Sequence, residues 1–243
     1  MNKQKDNFLG VDFIFDRVEI KSFISSCQTG YICLVNANIV SRCETDQSYK
    51  KVIGSSTFNV CDGSVIAKLF NKIKKRNISP YPGPDLFIEH VKLKSFKHAF
   101  IGSSNDVLES LKNRLAVLNP DIEESLFYSP PFVSNVNDFN YSKIASLINK
   151  YKPDIIWVSL GAPKQEFFMN KIQDHVDGGI MIGVGAAFLF YSGYGNNRRA
   201  PKWMLDRNLE WLFRLVTEPV KTSKRLMNEI IWLTKLLIIE LKQ

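Results

Sequence analysis

Cysteine, histidine and long apolar runs are scarce in this chain of 243 residues, and each scarcity closes off a class of protein. The cysteines are Cys27, Cys33, Cys43 and Cys61, and there are 3 histidines. No cysteine pair has C-x-x-C spacing and no histidine pair stands beside one, which argues against a zinc site. The cysteines read as free thiols of a reducing compartment. No segment reaches the roughly 18 uninterrupted apolar residues of a membrane-spanning helix. The nearest, residues 226–239, is broken by Glu229 and Lys235. The opening stretch MNKQKDNFLG lacks the apolar centre of an export signal. The expectation is a cytoplasmic protein whose membrane contact is peripheral. A G-x-x-x-x-G-K-[ST] loop is also missing, which weakens an ATPase reading. So is a G-x-G-x-x-G loop after an early strand, as a nicotinamide-dependent oxidoreductase requires.

Apolar residues make up 45% of the chain and charged residues 23%, the balance of an ordinary globular protein. The length suits one sizeable α/β domain plus an appendage. A formal net charge of +8 and a pI near 9.2 favour anionic partners such as nucleotide phosphates, lipid diphosphates or an anionic membrane. Nucleic acid would satisfy the charge too, but no fold signature for it is present, and none is expected as a partner.

From about Lys97 onward, strands alternate with helices. HAFIG at 98–102 reads as a buried strand, and 105–116 carries Val107, Leu108, Leu111 and Leu115 at helical spacing. A short strand near 125–128 precedes a helix over 141–151 with Ile144, Ala145, Leu147 and Ile148. DIIWVSL at 154–160 and GIMIGVG at 179–185 are runs of the kind buried on both faces. Earlier, YICLV at 31–35 reads as a strand ending at Asn36. Residues 64–74 read as a helix with Val65, Ile66, Leu69 and Phe70 inward, and the Pro/Gly-rich 77–85 as a loop. The fold class expected is therefore α/β, a Rossmann-like, mostly parallel sheet flanked by helices. Right-handed crossovers put its strand-to-helix loops on one edge. After Gly193 the chain turns basic. Residues 205–216 and 220–242 read as two helices split at Glu218–Pro219, the second with Leu226, Ile230, Leu233 and Leu237 on one side. The boundary drawn is 1–195 for the core and 196–243 for a basic amphipathic appendage.

Several short motifs carry chemistry, each with a plainer reading beside it. Gly161-Ala162-Pro163-Lys164-Gln165-Glu166 follows a buried strand, where open α/β sheets bind ligands and a helix N-terminus attracts anions. It reads equally as a tight turn with a surface lysine. Gly183-Val184-Gly185 ends the next strand as a ligand-approach point or a close turn. Asp62-Gly63 before a helix is a cap, or else a general base that takes a proton from a hydroxyl. Asn36 orients substrate hydroxyls or satisfies a turn. Arg198-Arg199-Ala200-Pro201-Lys202-Trp203, with Arg214, Lys221, Lys224 and Arg225, forms a phosphate-binding region or a solvated basic face. No D-x-D triplet is present to hold a metal-bound sugar nucleotide, so neither a metal nor a resident cofactor is expected.

In this order, the motifs resemble the WecG/TagA/CpsF glycosyltransferases. The resemblance runs from about Asn36 through Asp62-Gly63, Gly83-Pro84-Asp85-Leu86, the 161–166 loop, Gly183-Val184-Gly185-Ala186-Ala187-Phe188 and Arg199-Ala200-Pro201 to Glu210-Trp211 and Glu218-Pro219. It implies transfer of N-acetylmannosamine or a related sugar from a UDP-sugar to a polyprenyl-diphosphate-linked N-acetylglucosamine, for teichoic acid or another surface polysaccharide. It further implies Asp62 as the base, with Gln165 and Asn36 beside it. Gly63, Gly161, Ala162, Pro163, Lys164, Glu166, Gly183 and Gly185 would be donor-binding. Arg199, Arg214, Lys221, Lys224 and Arg225 would meet the lipid diphosphate at the inner face of the membrane. Family members associate through the core, so a homo-oligomer belongs to the same expectation. The chain departs from the family pattern at Leu34 (Thr in the family), at Leu189 (Asp) and at 79–82, where an Arg is common. These departures bear on the donor sugar more than on the reaction class. A membrane-associated nucleotide-sugar or polyanion binder without turnover is the alternative.

Overall fold

The computed structural model describes residues 5–26, 29–195, 199–207 and 209–240; the side chains of Asp206, Trp211, Lys221, Lys224, Arg225 and Asn228 lie outside the description. Cys27 and Arg198 fall outside it as well. A hairpin, β1 (Asp6–Phe8) and β2 (Val11–Ile14), leads into α1 (Arg17–Ser26) and β3 (Tyr31–Val35). Next come α2 (Ala37–Thr45), α3 (Gln47–Gly54), β4 (Phe58–Cys61), α4 (Ser64–Lys74) and α5 (Gly83–Val91). The second half alternates β5 (His98–Gly102), α6 (Asn105–Ala116), β6 (Leu126–Tyr128), α7 (Tyr141–Tyr151), β7 (Ile155–Ser159), α8 (Lys164–Ile172), β8 (Ile180–Gly183) and α9 (Ala187–Ser192). Three helices close the chain: α10 (Lys202–Asp206), α11 (Glu210–Thr217) and α12 (Pro219–Glu240).

Among the described residues eight strands join one sheet in the order β1-β2-β4-β3-β8-β7-β5-β6, in which the β1–β2 pair alone is antiparallel. The α/β fold class expected from the sequence is the one observed. β3, β4 and β8 are buried at every residue, as strands covered on both faces must be. Alternate residues feed two cores, one on each face. Val35, Ile66, Phe70, Val158 and Phe168 pack on one side, and Leu34, Phe87, Phe100, Trp157 and Phe188 on the other.

The last helix belongs to the first of these cores. Leu233 and Leu236 are buried in it, and α12 packs along α2. At its far end the buried Glu240 accepts from Leu9 N at 3.1 Å and pairs with Lys74 at 2.7 Å. Among the described residues no helix is long and apolar enough to cross a membrane.

Four local expectations are corrected. Val65, expected inward, is exposed, because the first turn of α4 opens onto solvent before the buried Ile66 and Phe70. Residues 83–85 are not loop but the first turn of α5, where a proline is tolerated because its missing N–H has no helical partner anyway. The helix expected over 205–216 is two. Leu209 N bonds back to Met204 O, and α11 restarts at Glu210. Ile230 is exposed and Leu236 takes its place, because the buried seam of α12 runs through Thr222, Leu233, Leu236 and Glu240. Removing Leu236 (L236A) should therefore cost about 2–4 kcal/mol in chemical denaturation, and Ile230→Ala within about 0.5 kcal/mol. Equal losses at both positions would put the seam elsewhere.

Candidate active site

β3 and β4 run parallel and end together, with Val35 opposite Cys61. The residue after each strand therefore emerges beside the other: Asn36 after β3 and Asp62 after β4. Asn36 has extended backbone, and its Oδ1 accepts from Asn38 N at 3.1 Å and Ile39 N at 3.3 Å, capping α2. With Oδ1 committed to two donors, the amide orientation is fixed. Its Nδ2 donates to Asp62 Oδ2 at 3.3 Å. The other carboxylate oxygen, Oδ1, accepts from Gly83 N at 2.6 Å. A Cβ on Gly83 would lie 2.7 Å from Leu34 Cδ1, so a larger residue there would have to push the leucine end aside.

Asp62 is thus gripped on both oxygens at the floor of a cleft. Burial raises its pKa above the ordinary aspartate value, opposed first by the Gly83 N–H. The negative charge of Glu210 raises it further, while the Asn36 amide and the Arg214 cation lower it, and the net direction is upward. The cleft holds about 600 Å³ and is lined by Asn36, Asp62, Gly63, Arg199, Lys202 and Arg214, with Arg17, Asp85 and Glu210. Two of its cations are paired. Arg199 bonds Asp85 in the first turn of α5, and Arg214 bonds Glu210 one turn away at 2.7 Å. Arg214 also lies 5.6 Å from the Phe190 ring centroid. The Lys221, Lys224 and Arg225 side chains expected in this region lie outside the described residues.

The remaining candidates gather further along the same edge. Gly183 ends β8 and Gly161 follows β7, the next two strands after β3. Gly161 (φ +76°) and Gly185 (φ +53°) turn the chain, Ala162 is exposed, and Pro163 caps α8. Gln165 is 4% exposed and Glu166 0%, so neither side chain opens onto the cleft. Gln165 Oε1 instead accepts from Gly185 N at 3.1 Å, and its Nε2 donates to Glu166 Oε1 at 2.8 Å. Ser159 Oγ completes the brace by donating to Gly185 O at 2.6 Å. Gly183 has to be small, because a Cβ there would sit 3.0 Å from Gln165 Nε2. Behind this brace Glu166 faces Tyr49 in the core, and burial raises its pKa. Lys164 turns toward the 129–135 loop, donating to Val133 O at 2.6 Å and lying 4.7 Å from the Phe132 ring centroid. Among the described residues no three His, Cys, Asp or Glu side chains gather as metal ligands.

A half-buried carboxylate at a strand end, next to paired arginines and a braced glycine edge, suits proton abstraction beside an anionic group. The model of the glycosyl transferase WecG/TagA/CpsF family matches residues 9–243. The chain belongs to that family. It is a glycosyltransferase, with the resemblance read from its motifs borne out over nearly the whole length. Relatives include N-acetylglucosaminyldiphosphoundecaprenol N-acetyl-beta-D-mannosaminyltransferases of Staphylococcus aureus strains NCTC 8325 / PS 47 and COL. Each is 29% identical over 227 residues, covering 89% of this chain and 86% of the relative. Sequence reasoning did not single out Arg17, gave Tyr81 no site role, and named Asp85 only as a member of the Gly83–Leu86 motif. Arg17 comes from α1, and no motif spacing ties it to Asp62.

If Asp62 is the base of this glycosyltransferase, it works only when ionised. Its raised pKa then places the acid limb of the kcat/KM–pH profile above the ordinary aspartate range. Arg214→Gln removes a lowering charge and should move that limb to higher pH. Glu210→Gln removes a raising one and should move it lower. Asn36→Ala should shift it upward and also cost about 1 kcal/mol through the lost helix cap. Limbs that coincide in all four proteins would detach the profile from Asp62.

Proposed function

We propose that this glycosyltransferase moves N-acetylmannosamine or a related sugar from UDP to a polyprenyl-diphosphate-linked N-acetylglucosamine. The reaction inverts the anomeric centre, needs no metal, and takes place at the inner face of the membrane. The observation that carries this reading is the Asp62 carboxylate, desolvated but held in one orientation, opening onto a cleft that also contains Arg199 and Arg214. The names of the staphylococcal relatives support the acceptor and the sugar.

The chemistry is a single displacement. Asp62 takes the proton of an acceptor hydroxyl as its oxygen bonds to the anomeric carbon of the donor. The bond from that carbon to the diphosphate breaks, and UDP leaves with the electron pair. One displacement inverts the carbon. Charge developing on the leaving diphosphate is met by arginine rather than by a cation held on a D-x-D triplet. Forks on Arg199 and Arg214 suit phosphate oxygens, once the substrate competes with Asp85 and Glu210 for them. The brace formed by Gln165, Gly185 and Ser159 keeps the glycine edge in shape for the donor. On α12 the outward residues Met227, Ile230, Ile231, Ile238 and Ile239 form an exposed apolar face suited to a membrane surface that presents the lipid.

Release of UDP from a panel of UDP-sugars, with a short-chain lipid-diphosphate N-acetylglucosamine acceptor and EDTA present, tests the whole reading. Acceptor-dependent release from one donor is expected, and Asp62→Asn should reduce it about 10²–10⁴-fold with UDP binding retained. Donor binding without release in the unmodified protein would favour the binding-protein alternative. Ile231→Asp with Ile238→Asp should weaken sedimentation with anionic vesicles while leaving the melting temperature within a few degrees. Unchanged sedimentation would remove the membrane role from this face.

A further inference from the structure

Of the four cations among the described residues lining the cleft, Arg199 and Arg214 are held by carboxylates, whereas Arg17 and Lys202 make no ion pair with a described carboxylate. These two differ in how they are held. Lys202 is exposed, and among the described residues no acceptor fixes its ammonium. Arg17, the first residue of α1, is fixed from two sides. Its Nη2 donates to the Pro80 carbonyl, and its guanidinium carbon lies 4.7 Å from the Tyr81 ring centroid. That ring does not move easily. Tyr81 is 1% exposed, its N–H donates to Cys61 O at 2.8 Å, and its hydroxyl donates to Glu89 Oε2 at 2.7 Å. The charge of Glu89 acts on Arg17 from a distance, and its ion pair goes to Lys21 at 2.6 Å.

The segment 80–83 therefore does two things. Its Pro80 carbonyl holds Arg17, and its Gly83 N–H holds the Asp62 carboxylate. Between them, Tyr81 is bonded to the residue that immediately precedes Asp62. A cation with unused donors and the carboxylate are thus fixed to one short piece of backbone. A guanidinium carries a fork of N–H donors, and with one given to Pro80 the others remain for an incoming anion. Binding at Arg17 breaks no ion pair, unlike binding at Arg199 or Arg214.

We propose that Arg17 is a phosphate-binding residue of this cleft, holding the diphosphate of a substrate in a fixed position relative to Asp62. The identity of that diphosphate rests on the glycosyl-transfer reading above. It belongs either to the nucleotide-sugar donor or to the lipid acceptor, and the same kinetics separate the two. An arginine that served only to hold the Pro80 loop needs one donor and would tolerate lysine. A phosphate fork would not, since lysine offers a point charge without the planar geometry.

The experiment compares the full chain with Arg17→Gln and Arg17→Lys, and with Lys112→Gln as a charge control on the remote helix α6. KM and kcat are measured for donor and acceptor separately. Calorimetry of UDP and of inorganic pyrophosphate reads binding without turnover. Arg17→Gln is expected to raise KM for one of the two substrates about tenfold or more, with kcat nearly unchanged. Arg17→Lys should recover only part of the loss, and Lys112→Gln should match the unmodified protein. A raised donor KM with weakened UDP binding assigns the nucleotide diphosphate; a raised acceptor KM with UDP binding intact assigns the lipid diphosphate. Unchanged KM for both substrates overturns the proposal. So does full recovery by lysine, or a fall in kcat that tracks a lowered melting temperature. If the unmodified chain turned over no donor, the glycosyl-transfer reading would fail by itself. The pyrophosphate titrations of the same proteins would still decide the role of Arg17.

Discussion

The parallel pairing of β4, β3, β8 and β7 is the constraint on which the site depends. Parallel neighbours end on the same edge, so the chain leaves all four at one rim. Leaving a buried strand is expensive unless the freed backbone groups find partners, and here the partners are the functional residues themselves. Asn36 terminates β3 by capping α2 with one end of its amide, and the other end reaches Asp62. Ser159 terminates β7 and braces Gly185 beyond β8. Strand ends, helix caps and the candidate base are thus held by two hydrogen-bonded groups, one around Asp62 and one around Gly185. A change in register between β3 and β4 would separate Asn36 from Asp62 and exchange the residues that each strand sends to the two cores.

A general base has to be ionised at working pH and still hold a proton well. Exposure would satisfy only the first need and full burial only the second. The cleft satisfies both by desolvating Asp62 while giving its charged form the Gly83 N–H and the Asn36 amide. The surrounding cations follow a related logic. The pairs Arg199–Asp85 and Arg214–Glu210 are partly exposed, and such pairs contribute little to stability. Each pair leaves the cleft with an arginine whose charge is locally balanced but only weakly held.

Much of this was legible in the sequence where one physical rule dominated. β3, β5, β7 and β8 are apolar runs bounded by Asn or Gly, and α4, α6 and α7 carry clean helical periodicity, so they emerged at or within a residue or so of their bounds. The β1–β2 hairpin is short and mixes Asp and Asn with its apolar residues, which leaves no pattern to read. α12 is apolar on two faces, so periodicity alone could not say that Leu236 rather than Ile230 faces the core. Asp62 and Asn36 were visible as residues at strand ends. Their bond to each other was not, because it requires the register of two strands. Gln165 and Glu166 lie within a conspicuous motif yet both are buried, one bracing Gly185 and the other facing Tyr49 in the core. Motif membership marks a neighbourhood, and burial decides which of its members can touch a ligand.

The C-terminal helices add a mechanical link to this electrostatic picture. Their segment is anchored at its start by Arg199 on Asp85, and at its end by Glu240 on Lys74 and the Leu9 amide. Between the anchors, Leu233 and Leu236 fasten α12 to the main core. Helix α11 lies within this tethered stretch and carries both Glu210 and Arg214, whose opposite charges push the basicity of Asp62 in opposite directions. The tail therefore does more than cover one side of the cleft. Because Glu210 raises and Arg214 lowers the proton affinity of the carboxylate, a change in how α11 sits changes the balance between them. The anchoring that holds the tail to the core thus also bears on the proton affinity of Asp62.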